Sequence, residues 1–177
     1  MPPKFGTSGL RGLVTELTSD LIGAHVRAFG AACPVGNGIW IGRDLRGSSP
    51  AISKMVANAA REMGVQVTDA GAVPTPALAL ASMNAGCAAV MVTGSHNPPE
   101  YNGLKMTIGG KTFYGADIQE LGRVAARGDF KAGQGTSSEH AAFEDYVARV
   151  LEDYYGGRVP KVAPVSAKGA AGVEVSR

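Results

Sequence analysis

Apolar stretches of two kinds alternate along this chain. Some are short and strand-like, and others are longer and repeat their apolar positions at helical spacing. The strand-like stretches are residues 38–42, 65–69, 87–92 and 104–108. The helical stretches lie at 18–29, 49–64, 76–84, 118–124 and 138–155. Because strands that alternate with helices favour parallel pairing, the pattern predicts an α/β fold, a layered αβα domain with a mixed, largely parallel sheet.

Three of the predicted helices begin at residues suited to capping. Thr18 is placed to cap the first helix, because its hydroxyl can accept from the first-turn amides. Ser49 as the cap with Pro50 at the first helical position predicts the start of the second helix. Ser138 is the predicted cap of the last helix. On the first helix, His25 shares the apolar face, so we expect a packed histidine there rather than a ligand.

The end of the chain differs in composition from the rest. A Gly/Ser-rich stretch at 132–138 predicts a linker before the last helix. We therefore divide the chain into a core at 1–137, a C-terminal helix at 138–157 and a tail at 158–177 that is disordered or lacks its partner. The apolar face of the last helix would normally be covered, and a dimer could cover it.

The sequence around Ser95 predicts a stiff loop between two strands. The apolar stretch 87–92 precedes it, and the alternating stretch 104–108 follows it. Pro98 and Pro99 lie between them and disfavour both helix and strand pairing. The chain therefore presents Ser95 on a rigid loop at the end of a buried strand, a common position for chemistry.

Composition and charge exclude several classes of protein. The chain has 177 residues, of which 45% are apolar and 18% charged, and a formal net charge of +2. Such a small charge gives no reason to expect nucleic acid or an anionic membrane as a partner. The first residues lack the apolar region of a signal peptide, and no run of 18 apolar residues occurs. We therefore predict a soluble, cytoplasmic protein.

The two cysteines support the same compartment. Cys33 and Cys87 lie far apart in apolar surroundings, without the spacing of a metal site or a redox motif. We predict two free thiols in a reducing compartment rather than a disulfide.

Two further stretches combine small residues with arginine. Residues 5–12 are Gly-broken and polar, which predicts an irregular loop whose amides and Arg11 suit a phosphate. A plain N-terminal loop, with the alkyl stem of Arg11 covering the core, is the structural alternative. Arg43 and Asp44 follow the strand at 38–42, and these adjacent charges could pair with each other or tie loops together.

Three chemical interpretations of Ser95 are open from the residues alone. A hydrolase nucleophile is disfavoured, because the second residue after Ser95 is Asn97 and two prolines follow where the hydrolase turn needs glycine and a helix. A phosphoryl carrier fits better, since Arg11, His96, Lys105 and glycine amides could hold the phosphate charge. The third interpretation is a binding or structural loop without covalent chemistry.

Five motifs resemble those of one enzyme family. Residues 93–98, Thr-Gly-Ser-His-Asn-Pro, are similar to the phosphoserine loop of the α-D-phosphohexomutases, the phosphoglucomutase/phosphomannomutase family. Residues 5–12 resemble the family's opening motif. Further similar segments follow in the family's order: Gly42-Arg43-Asp44 before Ser48-Ser49-Pro50, then Pro74-Thr75-Pro76, then Asn102-Gly103-Leu104-Lys105.

The resemblance implies a function and a set of roles. Ser95 would carry a phosphoryl group that is exchanged with a hexose phosphate, mannose or glucose 6-phosphate or 1-phosphate, through a hexose 1,6-bisphosphate. Lys105 and Arg11 would handle the proton of the sugar hydroxyl. The oxygen or phosphate of Ser95 would bind one Mg²⁺. The remaining implied residues bind substrate or phosphate: Thr7, Ser8, His96 and Asn97.

The chain also departs from the family pattern. The resemblance covers the first of four domains, and none of the seven aspartates forms the Asp-rich Mg²⁺ loop of the second. The sugar-recognition and phosphate-clamp loops of the later domains are absent as well. We therefore expect the domain to be inactive or nearly so by itself, without a choice between mannose and glucose. A non-catalytic phosphate-accepting or interaction module is the alternative.

Overall fold

A computed structural model describes residues 4–6, 9–128 and 130–154. The strands are β1 (Lys4–Gly6), β2 (Gly9–Leu13), β3 (Ile39–Arg43), β4 (Val67–Ala72), β5 (Ala88–Val92), β6 (Tyr101–Ile108), β7 (Lys111–Thr112) and β8 (Ser137–Glu139). The helices are α1 (Ser19–Ala32), α2 (Ser49–Arg61), α3 (Thr75–Asn84), α4 (Ala116–Arg127) and α5 (Ala142–Tyr154). A 3-10 turn (Val14–Glu16) links β2 to α1.

The eight described strands form one mixed sheet. Seven of them follow the order β1-β2-β6-β5-β3-β4-β8, and β7 pairs with β6. The pairs β3–β4, β3–β5 and β4–β8 are parallel. The four pairs that involve β1, β2, β6 or β7 are antiparallel. The α/β fold with a mixed sheet is confirmed, and its parallel pairing is confined to one half, because β6 turns back beside β5.

Two apolar clusters cover the two faces of the sheet. Helices α1, α2 and α4 pack on one face, against residues such as Ile41 and Val90. Helices α3 and α5 pack on the other, against Trp40 and Met91. Successive residues of a strand point to opposite faces, so β3 and β5 contribute to both clusters. The predicted three-layer αβα arrangement follows from these two buried faces.

The structure confirms several local predictions. The hydroxyl of Thr18 accepts a hydrogen bond from the amide of Leu21 at 3.3 Å. His25 packs on α1, where its Nδ1 donates to the carbonyl of Leu21 at 2.7 Å, and burial lowers its pKa. Cys33 and Cys87 are free thiols. Burial, with Asp117 nearby, raises the pKa of the Cys33 thiol to about 11.

Other local predictions are wrong. The opening stretch is a hairpin rather than an irregular loop, because β2 pairs with β6 and Leu10 is buried against Leu104. Ser138 does not cap α5 but lies in β8, where its hydroxyl is 3.2 Å from that of Thr68. Strand β8 spans Ser137–Glu139, whereas the division of the chain at 137/138 stays a prediction. Helix α2 begins at Ser49, whereas the prediction makes Ser49 the cap and Pro50 the first helical residue.

The last helix is covered more fully than the sequence predicts. Helix α5 lies beside α3, and Phe143 and Tyr146 pack into the second apolar cluster. Val150 and Leu151 remain 41% and 52% exposed. The predicted uncovered face is thus reduced to these two positions among the described side chains, and the tail at 158–177 lies outside the described residues.

Candidate active site

The predicted loop leaves the sheet at the carboxyl end of β5, beside the carboxyl end of β3. Ser95 has φ of +54°, and no other non-glycine residue in the described ranges has a positive φ. A left-handed conformation costs a residue with a side chain about 1–2 kcal/mol. Such a strained residue persists where its surroundings hold it, and it is a reason to look for function.

Thr93 joins the backbone of Ser95 to the neighbouring strand. Its hydroxyl accepts a hydrogen bond from the amide of Ser95 at 2.9 Å and donates one to Oδ2 of Asp44 at 2.8 Å. Thr93 is 8% exposed, so water competes little for these bonds. The amide of Gly94 donates to the same Asp44 oxygen at 3.2 Å.

Arg46 holds the far side of the loop. Its Nη1 donates to the carbonyl oxygens of Pro98 and Tyr101, at 2.7 and 3.0 Å. Its Nη2 donates to the carbonyl oxygens of Ser95 and Asn97, at 2.9 and 2.6 Å. These contacts turn the carbonyls of the loop inward around one guanidinium.

Asp44 orients both Arg46 and the start of α2. Its Oδ2 accepts from Nε of Arg46 at 3.2 Å, and its Oδ1 accepts from the amide of Arg46 at 3.1 Å. The hydroxyl of Ser49, fully buried, donates to Oδ1 at 2.5 Å. The side chains of Arg46 and Asp44 are 16% and 15% exposed. Asp44 is therefore a structural acceptor with both oxygens occupied.

Arg11 reaches the loop from the other end of the chain. The β2–β6 register places Arg11 opposite Gly103, and its Nη1 donates to Oδ1 of Asn97 at 3.4 Å. The two residues are 86 positions apart in sequence. The structure thus brings together two of the predicted site residues, Arg11 and Asn97.

Lys105 lies on the same face of the sheet as Arg11. Gly103 is opposite Arg11 and two residues before Lys105, so the two cations are diagonal cross-strand neighbours, about 7–8 Å apart at Cα. Lys105 lines a cavity of about 340 Å³ together with Met91 and Tyr114. That cavity adjoins the strand that leads to Ser95 rather than the serine itself.

The remaining predicted residues divide into two groups. His96 lies beside Ser95, with its Nδ1 3.4 Å from the serine hydroxyl oxygen. Both side chains are exposed, so Ser95 can receive a ligand from solvent. Thr7 and Ser8 lie outside the described residues.

The sequence assigns no role to two residues that hold the site, Arg46 and Asn102, although Asn102 lies in one of the family motifs. Asn102 is fully buried, and its Nδ2 donates to the hydroxyls of Ser48 and Ser49, at 2.8 and 2.9 Å. For Arg46 the signal is its position, because residues that follow one strand lie near those that follow its parallel neighbour.

Arg43 and Asp44 do not pair with each other, and each connects strand β3 to a different neighbouring segment. Nη1 of Arg43 lies 3.2 Å from Oδ1 of Asp69 on the adjacent strand β4. Asp44 instead accepts hydrogen bonds from Thr93 and Gly94 at the start of the Ser95 loop. The two adjacent charges therefore connect β3 to different neighbours.

The described residues supply few ligands for the implied Mg²⁺. Within the described ranges, no three His, Cys, Asp or Glu residues come together as a metal site. Asp44, the carboxylate at the Ser95 loop, already accepts on both oxygens. The described residues offer the oxygen of Ser95 as a ligand but do not form a complete Mg²⁺ site. None of their helices has the length and apolar character needed to cross a membrane.

Comparison with known proteins defines the class to which this fold and loop belong. Residues 2–132 match the family model described as phosphoglucomutase/phosphomannomutase, alpha/beta/alpha domain I. The chain belongs to the phosphoglucomutase/phosphomannomutase family and corresponds to its domain I.

Individual relatives support this assignment. The chain is 36% identical to a phosphomannomutase of Sinorhizobium fredii, over 84% of this chain and 34% of the relative. It is 35% identical to a phosphomannomutase/phosphoglucomutase of Pseudomonas aeruginosa, over 96% of this chain and 37% of the relative. A crystal structure of a family protein from Burkholderia thailandensis matches with a TM-score of 0.76 at 34% identity, over 84% of this chain and 35% of that one. The chain thus spans about a third of the length of these relatives.

Proposed function

We propose that this chain is the phosphoserine-bearing domain of a hexose-phosphate mutase. In this proposal Ser95 exchanges a phosphoryl group with mannose or glucose 6-phosphate and 1-phosphate through a hexose 1,6-bisphosphate. Family membership and relatives named phosphomannomutase and phosphoglucomutase support a mutase. The assignment of the phosphoryl group to Ser95 depends on the geometry of its loop.

The observation that carries the proposal is the strained, exposed backbone of Ser95. Its φ of +54° is maintained by Thr93, which binds its amide, and by Arg46, which binds its carbonyl oxygen. Both contacts engage the backbone and leave the hydroxyl directed to its exposed surroundings. A pre-positioned hydroxyl is what phosphoryl transfer needs, because that chemistry depends mainly on positioning and charge stabilisation.

In the forward step, a hydroxyl oxygen of the hexose phosphate attacks the phosphorus on Ser95. A new phosphorus–oxygen bond to the sugar forms while the bond to Oγ of Ser95 breaks. The proton of the sugar hydroxyl ends on Oγ of Ser95, the leaving oxygen, and Lys105 and Arg11 are proposed to assist this transfer. The second step is the reverse reaction at the other phosphate of the bisphosphorylated sugar.

The cations around the loop would stabilise the transferred charge. Arg11 contacts Asn97, two residues after Ser95, and is proposed to bind a phosphate on Ser95. Charge-assisted hydrogen bonds contribute about 1.5–3 kcal/mol each, so Arg11, His96 and Lys105 together could retain a phosphoryl group. Thr7 and Ser8 are proposed to add phosphate contacts.

Other parts of the active site are proposed to lie outside the described residues. Mg²⁺ would be bound by the oxygen or phosphate of Ser95 and by ligands from elsewhere, and it would neutralise charge on the transferred group. Since the chain spans about a third of its relatives, we expect it to have little or no mutase activity alone. Its free thiols favour a reducing compartment such as the cytoplasm.

The experiment is to incubate the purified chain with glucose or mannose 1,6-bisphosphate and Mg²⁺ and to measure its intact mass. We expect a gain of one phosphoryl group that peptide mapping assigns to Ser95. Ser95→Ala should abolish the gain, whereas Ser138→Ala, in the edge strand β8, should retain it.

Four results would count against parts of the proposal. Absence of the mass gain, or its persistence in Ser95→Ala, contradicts the role of Ser95. Phosphate that is accepted but never passed to hexose 6-phosphate, even by a chain that also carries the other domains of the family, favours the non-catalytic module. Robust mutase turnover by this chain alone contradicts the expectation that its site is incomplete.

A further inference from the structure

We propose that Arg46 is the positioning residue of the Ser95 loop and is not itself a ligand of the phosphate. The inference depends on the proposed function, because it assigns a role in phosphoryl transfer to a residue that touches neither the hydroxyl of Ser95 nor a substrate. It rests on the hydrogen bonds of one guanidinium and on the space that Gly94 leaves for it.

The first argument is the number of donors. A guanidinium has five N–H groups, and Arg46 makes five side-chain hydrogen bonds. Four go to backbone carbonyls of the loop, and the fifth goes to Asp44. Arg46 therefore has no donor left for a phosphate on Ser95 unless it releases the loop.

The second argument is what those bonds determine. The carbonyls of Ser95, Asn97, Pro98 and Tyr101 would otherwise point toward a common centre without a donor, and their dipoles would repel one another. Arg46 makes this arrangement favourable. Since one of the four carbonyls is that of Ser95, its left-handed backbone and the direction of its hydroxyl depend on Arg46.

The third argument is steric. Gly94 lies against the guanidinium, and a Cβ at this position would lie only 2.5 Å from Nε of Arg46. Real Cβ atoms do not come this close to another heavy atom, so a side chain at 94 would displace Arg46. Gly94 and Arg46 thus act as one unit, in which the missing side chain makes room for the guanidinium.

The test uses the whole 177-residue chain and compares two arginines of β3 and its following loop. Arg46→Lys keeps the charge but provides one nitrogen, which cannot span four carbonyls. Arg43→Lys is the matched control, because the side chain of Arg43 binds Asp69 on β4 rather than the Ser95 loop. Hydrogen exchange of the amides at 94–101 and the rate of Ser95 phosphorylation by glucose 1,6-bisphosphate are measured for each.

We expect Arg46→Lys to raise exchange in the loop by about tenfold or more, since it loses several charge-assisted hydrogen bonds, with amides of β3 and β5 unchanged. Phosphorylation of Ser95 should slow by at least a similar factor. Arg43→Lys should leave both the exchange of the loop amides and the rate of Ser95 phosphorylation close to those of the unaltered chain. Uniformly faster exchange throughout the chain would indicate a general loss of stability and would overturn the positioning role, as would an unaffected loop.

A double-mutant cycle provides the second arm. Gly94→Ala and Arg46→Ala should each mobilise the loop, and the double variant should exchange no faster than Arg46→Ala alone, because both changes remove the same contact. Additive effects would overturn the coupling. If the unaltered chain is not phosphorylated at all, the proposed function fails, while loop exchange still decides whether Arg46 positions the loop.

Discussion

Two stretches of this chain have similar composition and are held in different ways. The Ser95 loop and residues 132–138 are both rich in glycine, serine and other small polar residues. The first is fixed by side chains, chiefly Asp44 and Arg46. The second is fixed by its own backbone: Gly133 donates to Glu62, and Gly135 donates to Arg61, both at 2.7 Å. Small residues therefore indicate close backbone approach in both stretches, but not which groups make the contact.

The difference has a functional meaning. Backbone pairing fixes a stretch by continuing the sheet, as β8 does beside β4, and leaves no strained residue there among those described. Hydrogen bonds from side chains allow a backbone conformation that strand pairing would not produce, with Ser95 in the left-handed region. It also concentrates the stability of the loop in a few side chains, so single substitutions there should have large effects.

The largest effect is expected from removing Asp44. Asp44→Ala leaves Arg46 without its carboxylate and deprives Ser49 and Thr93 of their acceptor. We expect a loss of about 3–5 kcal/mol in the free energy of unfolding, measured by urea denaturation, because the pair is largely buried. Glu139→Ala, an exposed carboxylate of β8, should cost less than about 0.5 kcal/mol. Equal losses of unfolding free energy in the two variants would contradict the expected difference between the Ser95 loop and strand β8.

Next in size is a pair of glycine substitutions, one in each stretch. A Cβ at 135 would collide with the carbonyl oxygen of Val65, as one at 94 would collide with Arg46. Both Gly135→Ala and Gly94→Ala should cost about 1–3 kcal/mol in denaturation experiments. Only Gly94→Ala should also slow the phosphorylation of Ser95. A similar slowing by Gly135→Ala would mean that the two stretches are not independent.

The last comparison is between two hydroxyls, those of Thr93 and Ser138. Thr93→Val removes the group that links Ser95 to Asp44, and we expect a cost of about 1–3 kcal/mol because buried partners lose their bonds. Ser138→Ala removes an exposed contact with Thr68 and should cost less than about 1 kcal/mol. Thermal unfolding of both variants measures the difference, and a Ser138→Ala variant that is the less stable one would reverse the comparison.

The parts of the fold that the sequence predicts are those with strong internal patterns. Strands β3 and β5 are continuous apolar runs, and α1 repeats its apolar positions with Thr18 at its start. The sequence pattern misses β2, in which glycine and arginine separate two leucines, and β8, whose residues are all polar. Only pairing with β6 or β4 makes these segments strands. Strand propensity depends on such neighbours more than on the segment itself.

The candidate site also contains residues that motifs identify and one whose role only the strand order explains. Ser95, Asn97 and Arg11 are found from motifs, and the structure places Arg11 against Asn97. The role of Arg46 could not be found, because it depends on β3 lying next to β5 so that their carboxyl ends meet. Strand order is a property of the whole chain and is not encoded in the loop at 43–50.

Strand β8 has a consequence for how this domain behaves among other copies of itself. It forms one margin of the sheet, where unpaired amides and carbonyls could recruit a foreign strand and begin a fibril. It is only three residues long, fully solvent-facing, and ends in the carboxylate of Glu139. A strand of three polar residues offers an incoming strand too few hydrogen-bond partners, so this edge of the sheet disfavours the addition of strands from other copies.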